Sequence, residues 1–132
     1  MTDILFKEIS DKIIKAYYNV FNVLGYAFVE KVYENSMYLE IQRDGLKIEK
    51  QKNIKVYYEG FQVGEYFAGL VVEDVINIEL KAAENLCEEH EVQLINYLRA
   101  TDVQVGFLFN FGKKPQFRRK YFTNDRKSVN IS

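Results

Sequence analysis

Apolar residues recur at helical spacing through the first part of the chain. Ile9, Ile13, Ala16, Tyr17 and Val20 share one face, which predicts a helix over roughly residues 3–24. Gly25 is its expected stop. A second helix follows, with Val29, Val32, Tyr33, Met37 and Ile41 on its inner stripe and Gly45 at its end. The period then changes to two. Leu46 and Ile48 alternate with charges, as do Ile54, Val56 and Tyr58. Glu59-Gly60 makes a turn, after which Phe61 and Val63 resume the alternation. Tyr66 to Val72 is nearly all apolar, the mark of a central strand covered on both faces. Glu73-Asp74 turns the chain into a strand from Val75 to Lys81, so these two strands form a hairpin. A third helix is expected over roughly Glu84 to Ala100, with Leu94, Ile95 and Leu98 toward the sheet. Val103 to Phe111 and a basic segment, Phe117 to Phe122, read as the last strands. The order is ααβββββαββ, an α/β fold with a mixed central sheet flanked by helices.

The chain has 132 residues, the size of one domain. It is expected to form a single domain over residues 1–122 with a C-terminal tail over 123–132. A hydrophobic share of 48% against 28% charged excludes a disordered chain. Net charge is −1, so no global basic field draws the protein onto nucleic acid, and binding there must use a local patch. One such patch is Lys113, Lys114, Arg118, Arg119, Lys120, Arg126 and Lys127, against Asp125 alone. Phosphate contact and a solubilising tail both account for it. Cys87 is the only cysteine, which rules out an internal disulfide and fits a reducing setting. The N-terminus lacks the basic-then-apolar pattern of a leader, and no apolar run approaches the roughly 18 residues of a membrane helix. A cytoplasmic protein without a membrane partner is expected. The Tyr- and Phe-rich strands offer a face for a homodimer.

The chemistry concentrates in Val75-Ile76-Asn77-Ile78-Glu79-Leu80-Lys81. Strand side chains alternate, so Ile76, Ile78 and Leu80 build core while Asn77, Glu79 and Lys81 share the other face. An ordinary charge pair at a sheet edge is one reading. The flanking apolar density favours a central strand, where a carboxylate and an ammonium are costly to desolvate. The functional reading is metal-assisted phosphodiester cleavage. Glu79 would bind Mg²⁺, and Lys81 would hold and deprotonate the attacking water. On the third helix His90, Gln93 and Tyr97 fall on one face. A helix there can lay the Gln-x-x-x-Tyr pair beside Glu79 and Lys81. His90 reads more simply as a hydrogen-bonded structural residue. On the second helix Glu30 is the best further carboxylate, and a solvated helix glutamate is an equal account of it. No Gly-rich phosphate loop, zinc spacing or nucleophile elbow occurs.

Several stretches, taken in order, resemble one known family. They are Phe28-Val29-Glu30-Lys31-Val32-Tyr33-Glu34, Gly64-Glu65-Tyr66, Val72-Glu73-Asp74, Ile78-Glu79-Leu80-Lys81-Ala82, His90 through Thr101, and Gly106 with Asn110-Phe111-Gly112. Together they are similar to the GxxExxY protein family of the PDDEXK nuclease superfamily. The resemblance covers nearly all of residues 3 to 122. It implies a restriction-endonuclease-like core, a nucleic-acid substrate and Mg²⁺ or Mn²⁺ as cofactor. By position it implies Glu79 as the metal-binding acid, Lys81 as the active-site lysine and Gln93 with Tyr97 as the RecB-type helix motif. It makes Glu30 and Tyr33 the namesake helix, with Glu30 as a catalytic or metal-binding acid. Tyr33, Arg118, Arg119 and Lys120 are then the expected substrate contacts.

Two positions depart from the family. Its namesake glycine is Ala27 here, a mild change unless the backbone needs positive φ. The larger departure is Tyr66-Phe67-Ala68-Gly69-Leu70, where relatives resemble Ala-Asp-Leu and the aspartate is the central metal ligand. Glu65 is roughly 13 Å away along the strand, too far to substitute. Glu73 and Asp74 sit at the hairpin tip, which leaves Glu30. Glu79, Lys81 and Glu30 sum to −1, where the intact pattern gives −2, so a dication is held less firmly. A glycine within a strand weakens it and supplies no structural motive. The expectation is a nuclease-type domain, impaired or inactive at Gly69, in which Gly69→Asp restores cleavage. The alternative is a non-catalytic module that binds nucleic acid or protein.

Overall fold

The computed structural model describes residues 2–50, 53–67 and 69–127. Ala68, within the expected strand, and residues 128–132 of the expected tail lie outside them. The element order is α1 (Thr2–Leu24), α2 (Glu30–Arg43), β1 (Ile48–Lys50), β2 (Asn53–Tyr58), β3 (Phe61–Phe67), β4 (Leu70–Val72), β5 (Ile76–Lys81), α3 (Glu88–Ala100), β6 (Val105–Phe111) and β7 (Pro115–Tyr121). A five-stranded sheet runs β1-β4-β5-β6-β7, and β2 pairs with β3 in a separate two-stranded ribbon. Only β5 and β6 are parallel, because α3 carries the chain across between them. The mixed sheet flanked by helices agrees with the restriction-endonuclease-like fold expected above. Among the described residues no helix is long and apolar enough to cross a membrane.

The apolar patterns sort the chain onto two faces of the sheet. Ile76, Ile78 and Leu80 join Val105, Phe107, Phe109 and Phe111 in a core closed by Ile13, Tyr17, Tyr33, Met37 and Ile41 from α1 and α2. The rings of Tyr33 and Phe111 stack there with centroids 4.0 Å apart. The opposite face carries a smaller core of Ile54, Val71, Tyr97, Leu98 and Val103, so α3 and the ribbon share it. Gly106 lets α3 approach: a β-carbon there would lie 2.6 Å from Leu94 Cδ1.

Two expectations about elements need correction. The apolar run Tyr66–Val72 is not one central strand. Tyr66 and Phe67 end β3 in the ribbon, while Leu70–Val72 form β4 in the main sheet. An apolar run records burial and not the identity of the neighbouring strand. The third helix begins at Glu88, not Glu84. Side chains hold the preceding loop instead: Ala83 N–H donates to Asn110 Oδ1 (2.9 Å), Asn110 Nδ2 donates to Ala83 O (2.9 Å), and Leu86 N–H donates to Gln116 Oε1 (3.0 Å). Within the described part of the expected tail, Lys127 reaches back to the domain. Lys127 Nζ donates to the carbonyls of Thr101 and Val103, at 2.6 and 2.9 Å, beyond the C-terminal end of α3.

Candidate active site

β5 is the middle strand of the five, so its side chains are covered on both faces. Asn77 and Glu79 lie on the α3 side, with Asn77 fully buried. Asn77 Nδ2 donates to Glu79 Oε1 at 3.3 Å, and the Gly69 N–H donates to the same oxygen at 3.4 Å. Both bonds are long, so they offset little of the carboxylate's lost hydration. Burial pushes the Glu79 carboxyl above the usual carboxylate range; these two donors and the Lys81 charge oppose it, and the Glu34 charge adds to it.

Two cavities meet at Glu79 and Lys81. One, of about 300 Å³, is lined by Glu30, Glu34, Phe67, Gly69, Glu79, Leu80 and Lys81. The other, of about 420 Å³, is lined by Tyr66, Phe67, Glu79, Lys81, Gln93 and Asn96. Glu30, Glu79, Lys81 and Gln93, drawn from α2, β5 and α3, are thereby brought to one place. Glu34 joins them, one helical turn after Glu30. Its signal was the i,i+4 spacing of two glutamates on one helix face. It makes an ion pair with Lys31 at 3.3 Å and its side chain is only 14% exposed.

Tyr97 does not line either cavity. It is 1% exposed and sits behind Tyr66, with ring centroids 6.4 Å apart and planes at 71°. Its hydroxyl is raised above the usual phenol range by burial and then by the Glu79 charge. Tyr66 is the phenol at the cavity wall. Its hydroxyl donates to Asn96 O at 3.1 Å, and burial followed by the Glu79 charge pushes it up to about 12. His90 Nδ1 accepts from Cys87 N–H at 3.3 Å, a helix-capping bond that accounts for it structurally.

The expected substrate contacts are separated from this place. Tyr33 is fully buried; its hydroxyl donates to Gly25 O at 2.7 Å and accepts from Phe28 N–H at 3.2 Å, so it ties the α1–α2 turn together. Arg119 lies on the other face of the sheet, its guanidinium 5.5 Å from the Phe107 ring centroid. Lys120 lies on the α3 face but pairs with Glu91 at 2.5 Å, and Arg118 also acts on the Glu91 charge. Glu91 and Gln93 are two residues apart on a helix, about 200° around its axis, so α3 stands between the basic strand and the cavities.

Gly69 has a structural motive that spacing did not reveal. A β-carbon there would lie 2.7 Å from the carbonyl oxygen of Ile78 and 3.6 Å from Glu79 Oε2. The β4 backbone thus enters the sheet too close to β5 for any side chain, and its N–H occupies the carboxylate of Glu79. Among the described residues no three His, Cys, Asp or Glu side chains converge in the manner of metal ligands. Glu30, Glu34 and Glu79 against Lys81 restore a formal charge of −2, but not a coordinating geometry.

A sequence profile described as the PD-(D/E)XK nuclease superfamily matches residues 7–120, which include α2, Gly69, the Glu79-x-Lys81 strand and the whole of α3. No curated protein and no solved structure gives a significant match. With the profile spanning most of the chain and the mixed sheet carrying Glu79 and Lys81 at its centre, this protein belongs to the PD-(D/E)XK nuclease superfamily.

Proposed function

We propose that this domain binds the phosphate backbone of nucleic acid at the cavities beside Glu79 and Lys81, and that its phosphodiester cleavage is impaired or lost. The observation that carries this reading is the contact between Gly69 and β5: an amide donor stands where the superfamily's pattern supplies a second acid. Mg²⁺ or Mn²⁺ is the cofactor that the superfamily implies. The side chains here do not fit it well. Glu79 is engaged by two N–H donors and burial raises its carboxyl above the usual range, and Glu34 is engaged by Lys31. Lys81 supplies the cation for a phosphate oxygen. Glu30 and Glu34 repel a polyanion from one cavity, which leaves the Gln93 side as the favourable approach.

The test is a binding and cleavage assay on single- and double-stranded DNA and RNA, with Mn²⁺ or with chelator, across a salt series. The expected result is chelator-insensitive binding that weakens with salt and no cleavage that depends on Glu79. Cleavage abolished by Glu79→Gln would restore the active-enzyme reading. Absence of any salt-dependent binding would leave the alternative, a protein-binding module.

A further inference from the structure

The cavity on the α3 side contains more than a phosphate contact needs. It brings the Phe67 ring, the Gln93 and Asn96 amides and the Tyr66 phenol to the same walls as Glu79 and Lys81. Phe67 is 61% exposed at the end of β3 and also lines the neighbouring cavity, so its ring stands at the junction of the two. Tyr66 is held in place by its bond to Asn96 O and by its edge-on contact with Tyr97, which gives this wall a fixed form.

The chemistry of these groups is complementary to one kind of ligand. An exposed aromatic face takes a flat ring by stacking. Two side-chain amides, each with donors and an acceptor, read the hydrogen-bonding edge of a heterocycle. The Lys81 ammonium takes an anionic oxygen beside it. A planar heterocycle linked to a phosphate is a nucleotide. A base within a duplex is stacked on its neighbours and cannot enter such a cleft, whereas an unpaired base can. We infer that Phe67, Gln93 and Asn96 form a subsite for an unstacked nucleobase of single-stranded nucleic acid, next to a phosphate held at Lys81. This inference rests on the nucleic-acid reading above and adds the strandedness and the residue that reads it.

The chain contains no tryptophan, so Phe67→Trp installs a unique fluorophore at the subsite. The side chain is exposed enough that the fold accommodates it, which a thermal melt checks. The variant is titrated with single-stranded DNA, single-stranded RNA, the matching duplex and inorganic polyphosphate. Quenching by single strands alone is expected, and the DNA and RNA arms identify the preferred sugar. Independently, Phe67→Ala is expected to weaken single-strand binding about tenfold by fluorescence anisotropy while changing duplex binding less than twofold. Oligonucleotide binding that leaves the tryptophan unquenched and Phe67→Ala without effect would overturn the subsite and keep the nucleic-acid reading. Failure of every nucleic acid to bind would remove that reading itself. Emission that shifts with protein concentration alone would assign Phe67 to a contact between copies, and would also overturn the subsite.

Discussion

The backbone amide of Gly69 donates to the carboxylate of Glu79, and the space where its β-carbon would stand is filled by the Ile78 carbonyl at 2.7 Å. Any substitution at 69 therefore has to move β4 away from β5. Gly69→Ala is expected to destabilise the fold by about 1–3 kcal/mol, read from urea unfolding. Gly69→Asp carries the same cost, so it returns an acid to the site without directly restoring cleavage. A Gly69→Ala variant as stable as the parent would show that the close approach is absent in solution.

Ala27 occupies φ +86°, a left-handed conformation disfavoured by a β-carbon. The backbone here favours a glycine, so an alanine at this position is not a mild change. Ala27→Gly is expected to stabilise the protein by about 1 kcal/mol, the relief of left-handed strain less the added chain entropy of glycine. Chemical denaturation measures it, with unchanged or lower stability as the contrary result.

Glu79 holds its proton more tightly folded than unfolded. The native state therefore binds more protons than the unfolded state between the usual carboxylate range and the raised value. The contribution of Glu79 to stability is fully present below its unfolded pKa and is lost as pH rises through the folded one. Glu79→Gln removes this decline, so its stability profile should be flatter over that interval. Parallel profiles for parent and variant would assign the pH dependence elsewhere.

Tyr33→Phe tests whether Tyr33 contacts substrate. Loss of its hydroxyl leaves Gly25 O and Phe28 N–H without their partner. A loss of about 1–2 kcal/mol in stability is expected, with nucleic-acid affinity unchanged in the folded variant. Reduced affinity at full stability would return Tyr33 to the site.

The sequence made some of this legible for identifiable reasons. Alternation through Asn77, Glu79 and Lys81 survives in β5 because a strand's side chains have only two directions. The inner stripe of α2 already contained Tyr33 beside Met37 and Ile41, so its burial was readable and stood against a substrate role. Glu34 was readable as the partner of Glu30 one turn on. The ribbon was not readable, since Tyr66, Phe67 and Leu70 are all apolar although they belong to different sheets. Nor was the reason for Gly69, because a contact with Ile78 O is set by how two strands meet and not by local composition.

The β2–β3 ribbon keeps its backbone ladder to itself and shares none with the main sheet. An isolated pair of strands is marginal in water, so the ribbon relies on the packing of Ile54 and Tyr66 against α3. Its ladder is expected to be less stable than that of the main sheet. Amide protons of Lys55 and Val56 should therefore exchange with deuterium well before those of Phe107 and Phe109, and the cleft that Phe67 borders has as one wall the least independently stable part of the fold.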